Sequence, residues 1–205
     1  MMGRKKKIKV LYLETQLDKR IDSKRSQIGF MKQLIPILAD ESVEIITKEV
    51  HSKADLEKFL RYARRDPDIQ YIHFGGHGRA RRGTCSIYLT GNEEINLNYK
   101  RNLGIFKNLR EKIIFFSCCQ IGSDSEAIKN LLKISKAWAI FGYSRDVYDH
   151  QAIIIESLFY YYCFVAATRL YFKTIYERIK FAIDYLNIDD NKEPLFDPLF
   201  VGYFG

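Results

Sequence analysis

Two polar segments of this sequence each follow an apolar run, and each carries a residue type that takes part in acyl transfer. After the run at 69–74 the chain reads Gly-Gly-His-Gly, which includes His77, and after the run at 113–116 it reads Ser-Cys-Cys-Gln-Ile-Gly, which includes Cys119. A cysteine thiolate attacks carbonyl carbon, and an imidazole within reach takes the thiol proton and later protonates the leaving amine. The two segments therefore predict a nucleophile and its base.

The glycines around His77 let the backbone approach a bound peptide closely. The backbone N–H groups of Gly78 and Cys119 are then candidate donors to the oxyanion that develops during attack, which is usually the largest stabilising effect in such sites. This chemistry needs no cofactor. No metal site is predicted either, because the four cysteines lack the Cys-x-x-Cys spacing of zinc ligands.

The surrounding elements alternate between strand and helix. We predict strands at 7–13, 43–47, 69–74, 85–89, 95–97, 113–116 and 137–141, and helices at 23–38, 52–66, 125–134, 150–168 and 172–186. Ser52 and Ser123 are each followed three residues later by an acid, which is the spacing that predicts the start of a helix. The strands at 85–89 and 95–97 flank a turn, and this pattern predicts a hairpin. Continuous apolar strands alternating with amphipathic helices predict an α/β fold with a mostly parallel sheet, covered on both faces. Ligand sites in such sheets lie beyond the carboxyl ends of the strands, where His77 and Cys119 are expected.

Three ordered segments of the chain resemble the caspase-like cysteine peptidases, the clan of caspases, separases and gingipains, and most closely the CHAT domain type. The first is His-Phe-Gly-Gly-His-Gly at 73–78, the second is the segment at 117–122 after an intervening hairpin, and the third is Gly-Tyr-Ser-Arg-Asp-Val-Tyr-Asp at 142–149. The resemblance implies a three-layer αβα sandwich, with His77 as base, Cys119 as nucleophile and Cys118 at the small position before it. Ile121 departs from the family pattern, which usually has Thr or Ser there.

The third segment also carries two acids, Asp146 and Asp149. In the separase and CHAT branches, acids in this segment help to bind a basic residue before the scissile bond, and these two match by position. A carboxylate grips an arginine through two hydrogen bonds and discriminates against neutral side chains. The resemblance therefore implies a preference for Arg or Lys at that subsite.

The function implied by the resemblance is that of a cysteine endopeptidase acting on protein or peptide substrates, in bacterial signalling or antiviral defence. A regulatory or sensor protein partner is expected, because CHAT domains usually adjoin helical sensor repeats, for which 205 residues leave no room. Two alternatives stay open. The chain could be a catalytically silent caspase-like scaffold that binds a partner, or a nucleic-acid-binding module that uses the basic run Lys5–Lys7.

Composition sets the remaining expectations. With 47% hydrophobic and 28% charged residues, the chain is neither disordered nor of low complexity, and residues 1–205 are predicted to form one domain. The net charge of +8 lies mostly within residues 1–30, so nucleic acid is not the expected partner. The apolar stretch at 157–168 is too short to span a membrane, and reduced cysteines fit a cytoplasmic protein.

Several conspicuous residues have structural interpretations. His73 is expected to be buried and hydrogen-bonded, and Cys118 and Cys163 to be small buried hydrophobes. The loop at 75–78 lacks the spacing of a phosphate-binding loop. Arg79, Arg81 and Arg82 are expected in a solvated loop. Residues 158, 161, 162, 166 and 170 are expected to pack on the sheet.

Overall fold

The computed structural model of the chain describes residues 8–15, 26–39, 43–90, 93–166, 174–187 and 200–204. The strands in chain order are β1 (Ile8–Glu14), β2 (Val43–Glu49), β3 (Ile69–Gly75), β4 (His77–Arg81), β5 (Thr84–Tyr88), β6 (Glu94–Asn96), β7 (Ile113–Ser117), β8 (Ala139–Tyr143) and β9 (Phe200–Phe204). The helices are α1 (Ile28–Leu38), α2 (Lys53–Arg65), α3 (Lys100–Leu103), α4 (Ser125–Ser135), α5 (Asp149–Tyr161) and α6 (Ile175–Asn187). Short 3₁₀ turns lie at Gly104–Phe106 and Ile121–Ser123.

A six-stranded sheet forms the centre of the fold, in the order β2-β1-β3-β7-β8-β9. Strands β2, β1, β3, β7 and β8 are parallel, and β9 runs antiparallel to β8 at one edge. Successive residues of β1 belong to opposite cores, since Leu11 packs with α2 and α4 on one face and Tyr12 packs with α1 and α5 on the other. The prediction of a mostly parallel, doubly covered sheet is confirmed, and the fold is an αβα sandwich.

A second, antiparallel sheet contains β4, β5 and β6. The predicted hairpin is present, with Ser86 of β5 opposite Asn96 of β6. The expectation of a loop after His77 is wrong, because residues 77–81 form β4 and pair with β5. The segment has no large apolar residue and the side chains of Arg79 and Arg81 are exposed, so it carries no apolar strand pattern.

Local signals predicted some helix boundaries correctly and missed others. Ser52 caps α2 as expected, because its side chain and that of Asp55 form a reciprocal capping box. The start of α4 is capped by Asp124 rather than by Ser123, with the Asp124 carboxylate accepting a hydrogen bond from the Ala127 N–H. A four-residue α3 and the strand β9 were not predicted.

The long helix predicted at 150–168 is shorter in the structure. α5 ends at Tyr161 and continues as a π-helical turn, Tyr162–Ala166, while residues beyond 166 lie outside this described segment. The predicted core face is wrong by about one position. Phe159 and Tyr160 are fully buried, whereas residues 158, 161 and 162 are only partly covered, although Tyr162 still packs against the core. The side chains predicted at 166 and 170 lie outside the described part of the chain.

Within the described residues, no helix is long and apolar enough to cross a membrane.

Candidate active site

Neighbouring strands bring the histidine and cysteine segments to one edge of the sheet. β3 and β7 pair in parallel with Gly75 opposite Ser117, and the Gly76 N–H donates to the Ser117 carbonyl at 3.1 Å. His77 and Cys119 each lie two residues beyond that pair, and both line a cleft with a cavity volume of about 190 Å³. The structure thus brings the two predicted residues together at the carboxyl edge of the sheet.

Gly78 is packed directly against the nucleophile segment. A Cβ at this position would lie 2.7 Å from the Cys119 carbonyl oxygen and 2.8 Å from the Cys118 Cβ. Real Cβ atoms do not approach so closely, so only glycine fits here without moving the neighbouring chain. The first residues of β4 and the cysteine segment are therefore in direct contact.

The Cys119 thiol is half-buried and lies beside the segment that follows β8. The Val147 N–H donates to the Cys119 Sγ at 3.5 Å, and the thiol donates to the Val147 carbonyl at 3.7 Å. Burial raises the pKa of Cys119, the Val147 N–H lowers it, and the charges of Asp146 and Asp149 raise it further. The net direction is upward, so the thiol is protonated at neutral pH in the unliganded cleft, and forming the thiolate requires a base.

The two predicted acids occupy different positions. Asp149 is half-buried at the start of α5 and is the only carboxylate among the described residues that line the cleft. Asp146 is exposed, lies outside the cleft lining and accepts a hydrogen bond from the Gln120 side-chain amide at 2.8 Å. The structure therefore places Asp149, and not Asp146, in the lining of the cleft that contains His77 and Cys119.

Gln120 connects three segments around the cleft, and sequence reasoning assigned it no role. Its side-chain oxygen accepts from the Ala80 N–H at 3.1 Å, its amide donates to Asp146, and its backbone N–H donates to the Arg145 carbonyl at 3.1 Å. Gln120 also has a left-handed backbone, with φ 62°. Such a conformation in a non-glycine residue costs about 1 kcal/mol or more and is kept where surrounding contacts enforce it.

A buried polar cluster lies directly below the cysteine segment. His73 is fully buried as expected, and its ring stacks between Tyr12 and Phe115 with centroid distances of 4.5 and 4.7 Å. Its Nδ1 lies 2.9 Å from the Tyr160 hydroxyl, and its Nε2 lies 3.3 Å from a carboxylate oxygen of Glu156. The imidazole is thus enclosed by the core and is separate from the cleft lining.

Glu156 is the member of this cluster that reaches the nucleophile segment. Its carboxylate accepts hydrogen bonds from the Ser117 hydroxyl and from the Tyr143 hydroxyl, the latter at 3.0 Å. Ser117 also lines the cleft and lies two residues before Cys119. The sequence held a signal for this residue, because Glu156 is an isolated acid in the otherwise apolar or uncharged stretch from Ala152 to Phe159.

The other three cysteines are buried away from solvent, and none of the four forms a disulfide. Burial raises the pKa of Cys85 to about 12 and raises those of Cys118 and Cys163 as well. These thiols are therefore poor nucleophiles, as predicted for Cys118 and Cys163. No group of three or more His, Cys, Asp or Glu residues in the described part of the chain is arranged to hold a metal ion.

Comparison with known proteins identifies the fold. No protein-family model and no curated protein sequence matches the chain. Among solved structures, the chain is similar to the Drosophila initiator caspase Dronc, with a TM-score of 0.54 and 12% sequence identity over 96% of this chain and 78% of the caspase chain. The similarity shows a caspase-like scaffold.

Proposed function

We propose that this protein is a cysteine endopeptidase with a Cys119–His77 dyad. The observation that carries the proposal is the convergence of His77 and Cys119 in one cleft, at the carboxyl ends of adjacent parallel strands of a caspase-like sheet. Polar residues at this edge are where α/β folds bind ligands and perform chemistry. The convergence joins the two residue types that acyl transfer requires.

The proposed reaction uses these side chains in two half-reactions. His77 takes the proton from the Cys119 thiol as the sulfur attacks the scissile carbonyl carbon, and backbone N–H groups of Gly78 and Cys119 stabilise the oxyanion. The C–N bond then breaks, the imidazolium gives its proton to the leaving amine, and a thioester remains on Cys119. Water, deprotonated by His77, attacks the thioester, releases the carboxylic acid and restores the thiol.

Asp149 is the proposed determinant of a preference for Arg or Lys before the scissile bond. It is the carboxylate that lines the cleft together with the nucleophile. Asp146 supports the wall through its bond to Gln120 and adds negative charge nearby. A basic side chain in the cleft would offset the negative charge of Asp149, which a neutral side chain cannot do.

A regulated role in bacterial defence or signalling is part of the proposal, with a sensor or regulatory protein as partner and the cytoplasm as location. The raised pKa of Cys119 in the unliganded cleft supports control by a partner or substrate, because the resting thiol is a weak nucleophile. The same observation favours the second candidate, a silent scaffold that binds partners through this cleft.

Covalent labelling separates the two candidates. Arginyl and lysyl acyloxymethylketone probes should label the parent chain at Cys119, and labelling should be lost in Cys119→Ala and His77→Ala. Cys118→Ala is the matched control, since its thiol is the adjacent residue but is buried. Undiminished labelling in Cys119→Ala contradicts the dyad. A folded parent that no probe labels, with or without partner, supports the scaffold.

A further inference from the structure

A second cleft lies between the loop that follows α3 and the C-terminal half of α4. Its described lining includes Lys100, Lys107, Lys133 and Lys136, and its cavity volume is about 640 Å³. The rest of the described lining is made of uncharged residues, namely Asn98, Leu103, Asn108, Asn130 and Ile134. No acidic residue is among them, and none of these residues lines the candidate active site.

The four lysines of this cleft lack compensating acids. None of their ammonium groups forms an ion pair with a described Asp or Glu residue. Like charges gathered in one concave surface repel one another, and they focus a positive potential into the cleft that attracts anions. We refer to the cleft lined by Lys100, Lys107, Lys133 and Lys136 as the lysine cleft.

The end of α4 can account for at most two of these four charges, because Lys100 and Lys107 lie outside that helix. Lys133 and Lys136 lie at the C-terminus of α4, where cations offset the helix dipole. Two of the last carbonyls there already have backbone partners, since Ile134 accepts from the Asn108 N–H at 3.4 Å and Ser135 accepts from the Leu109 N–H at 2.6 Å. These bonds leave the lysine ammonium groups available to a ligand.

The backbone of Lys136 supports the same interpretation. Lys136 has a left-handed conformation, with φ 56°, at the C-cap of α4. Glycine is the usual residue in that conformation because any Cβ costs about 1 kcal/mol there. A lysine therefore occupies a position where local conformation favours glycine, and its side chain contributes a charge to the lysine cleft.

We propose that the lysine cleft binds a phosphate ester of nucleotide size. Four ammonium groups and the side-chain amides of Asn108 and Asn130 supply charge-assisted and neutral donors to phosphate oxygens. Ile134, which is partly exposed, supplies apolar surface for a flat ring, and the cavity volume falls within the range of small-molecule sites. A free nucleotide and a short nucleic-acid strand share this chemistry. The proposal is independent of the proposed peptidase function.

The test measures binding of a ribose-labelled fluorescent ATP by fluorescence anisotropy, using the full chain at low ionic strength. We expect saturable binding that weakens as salt is added. Lys107→Gln and Lys133→Gln should each weaken it about tenfold, the usual effect of losing one charged hydrogen bond. Lys129→Gln is the matched control, because Lys129 is exposed on α4 one turn before Lys133 and does not line the cleft.

Competition experiments distinguish a free nucleotide from a nucleic-acid strand as the ligand. Unlabelled ATP and hexauridylate RNA should both displace the probe, and the stronger competitor identifies the free nucleotide or the strand as the better ligand. Three outcomes overturn the proposal: no saturable binding at low salt, equal weakening by Lys129→Gln and Lys133→Gln, or stronger displacement by hexaglutamate peptide than by either phosphate ester.

Discussion

Replacing Gly78 with alanine is expected to disable the candidate site while the protein stays folded. The added Cβ would meet the Cys119 carbonyl oxygen at 2.7 Å and Ile121 Cγ1 at 2.7 Å, whereas ordinary contacts begin at 3.4 Å. The side chain of Ile121 can rotate to some extent. The Cys119 oxygen belongs to the backbone of the proposed nucleophile, so that segment itself must move.

The size of the effect follows from the overlap. Relieving the contact with the Cys119 oxygen requires the two groups to move apart by about 0.7 Å. A misplacement of about 1 Å in a catalytic site lowers the reaction rate about 100-fold, so a shift of this size is large enough to matter. Overpacking of this kind lowers the free energy of unfolding by about 1–3 kcal/mol. We therefore expect a loss of activity of roughly two orders of magnitude with only a moderate loss of stability.

The assay compares the rate of labelling by an arginyl acyloxymethylketone with the free energy of unfolding from urea denaturation. Gly29→Ala is the control, because nothing lies within 4 Å of a Cβ at this exposed position of α1. Alanine there should keep the parental labelling rate and stabilise the helix by about 0.5–1 kcal/mol. If Gly78→Ala is folded and labelled at the parental rate, the histidine and cysteine segments are not in the contact described.

Three further substitutions test the electrostatics and the scaffold. Asp149→Asn removes a charge that raises the pKa of Cys119, so iodoacetamide should alkylate that thiol faster at pH 7. Labelling by the arginyl probe should become slower, because the probe loses the carboxylate that binds its guanidinium. Changes of both rates in the same direction would contradict this reasoning. Glu156→Gln replaces the buried carboxylate that accepts hydrogen bonds from the Ser117 and Tyr143 hydroxyls, and it should lower the free energy of unfolding by about 2 kcal/mol. The exposed Glu57→Gln, measured in the same urea titration, should cost less than about 0.5 kcal/mol. Ser52→Ala removes the cap of α2 and should cost about 1 kcal/mol, with an unchanged urea midpoint as the contrary result.

The sequence predicted those parts of the fold that depend on one-dimensional apolar patterns. The buried parallel strand β7 is a continuous apolar run and β3 is mostly apolar, so their ends, and hence the positions of His77 and Cys119, could be located. β4 could not be predicted in this way. It is held by backbone bonds to β5, with exposed arginines in place of an apolar face.

Contacts that join distant segments were beyond the sequence patterns. Nothing local to Gln120 indicates that its amide joins Ala80 to Asp146. The isolated acid Glu156 did give a signal, but its partners His73 and Ser117 come from two other strands. Such networks depend on how each helix is positioned against the strands. A shift of α5 by one residue would turn Glu156 away from its partners and remove these contacts.

The acids of the cleft have two opposing effects under the proposed function. Asp149 attracts a basic side chain, and its charge, with that of Asp146, raises the pKa of Cys119 beyond the effect of burial. A guanidinium bound at Asp149 would neutralise part of that charge and so lower the pKa of the thiol at the moment when a scissile bond is in place. A neutral side chain would leave the negative charge of the acids in place and the thiol protonated. The preference for a basic residue would then act on formation of the nucleophile as well as on binding, and the unoccupied site would stay unreactive.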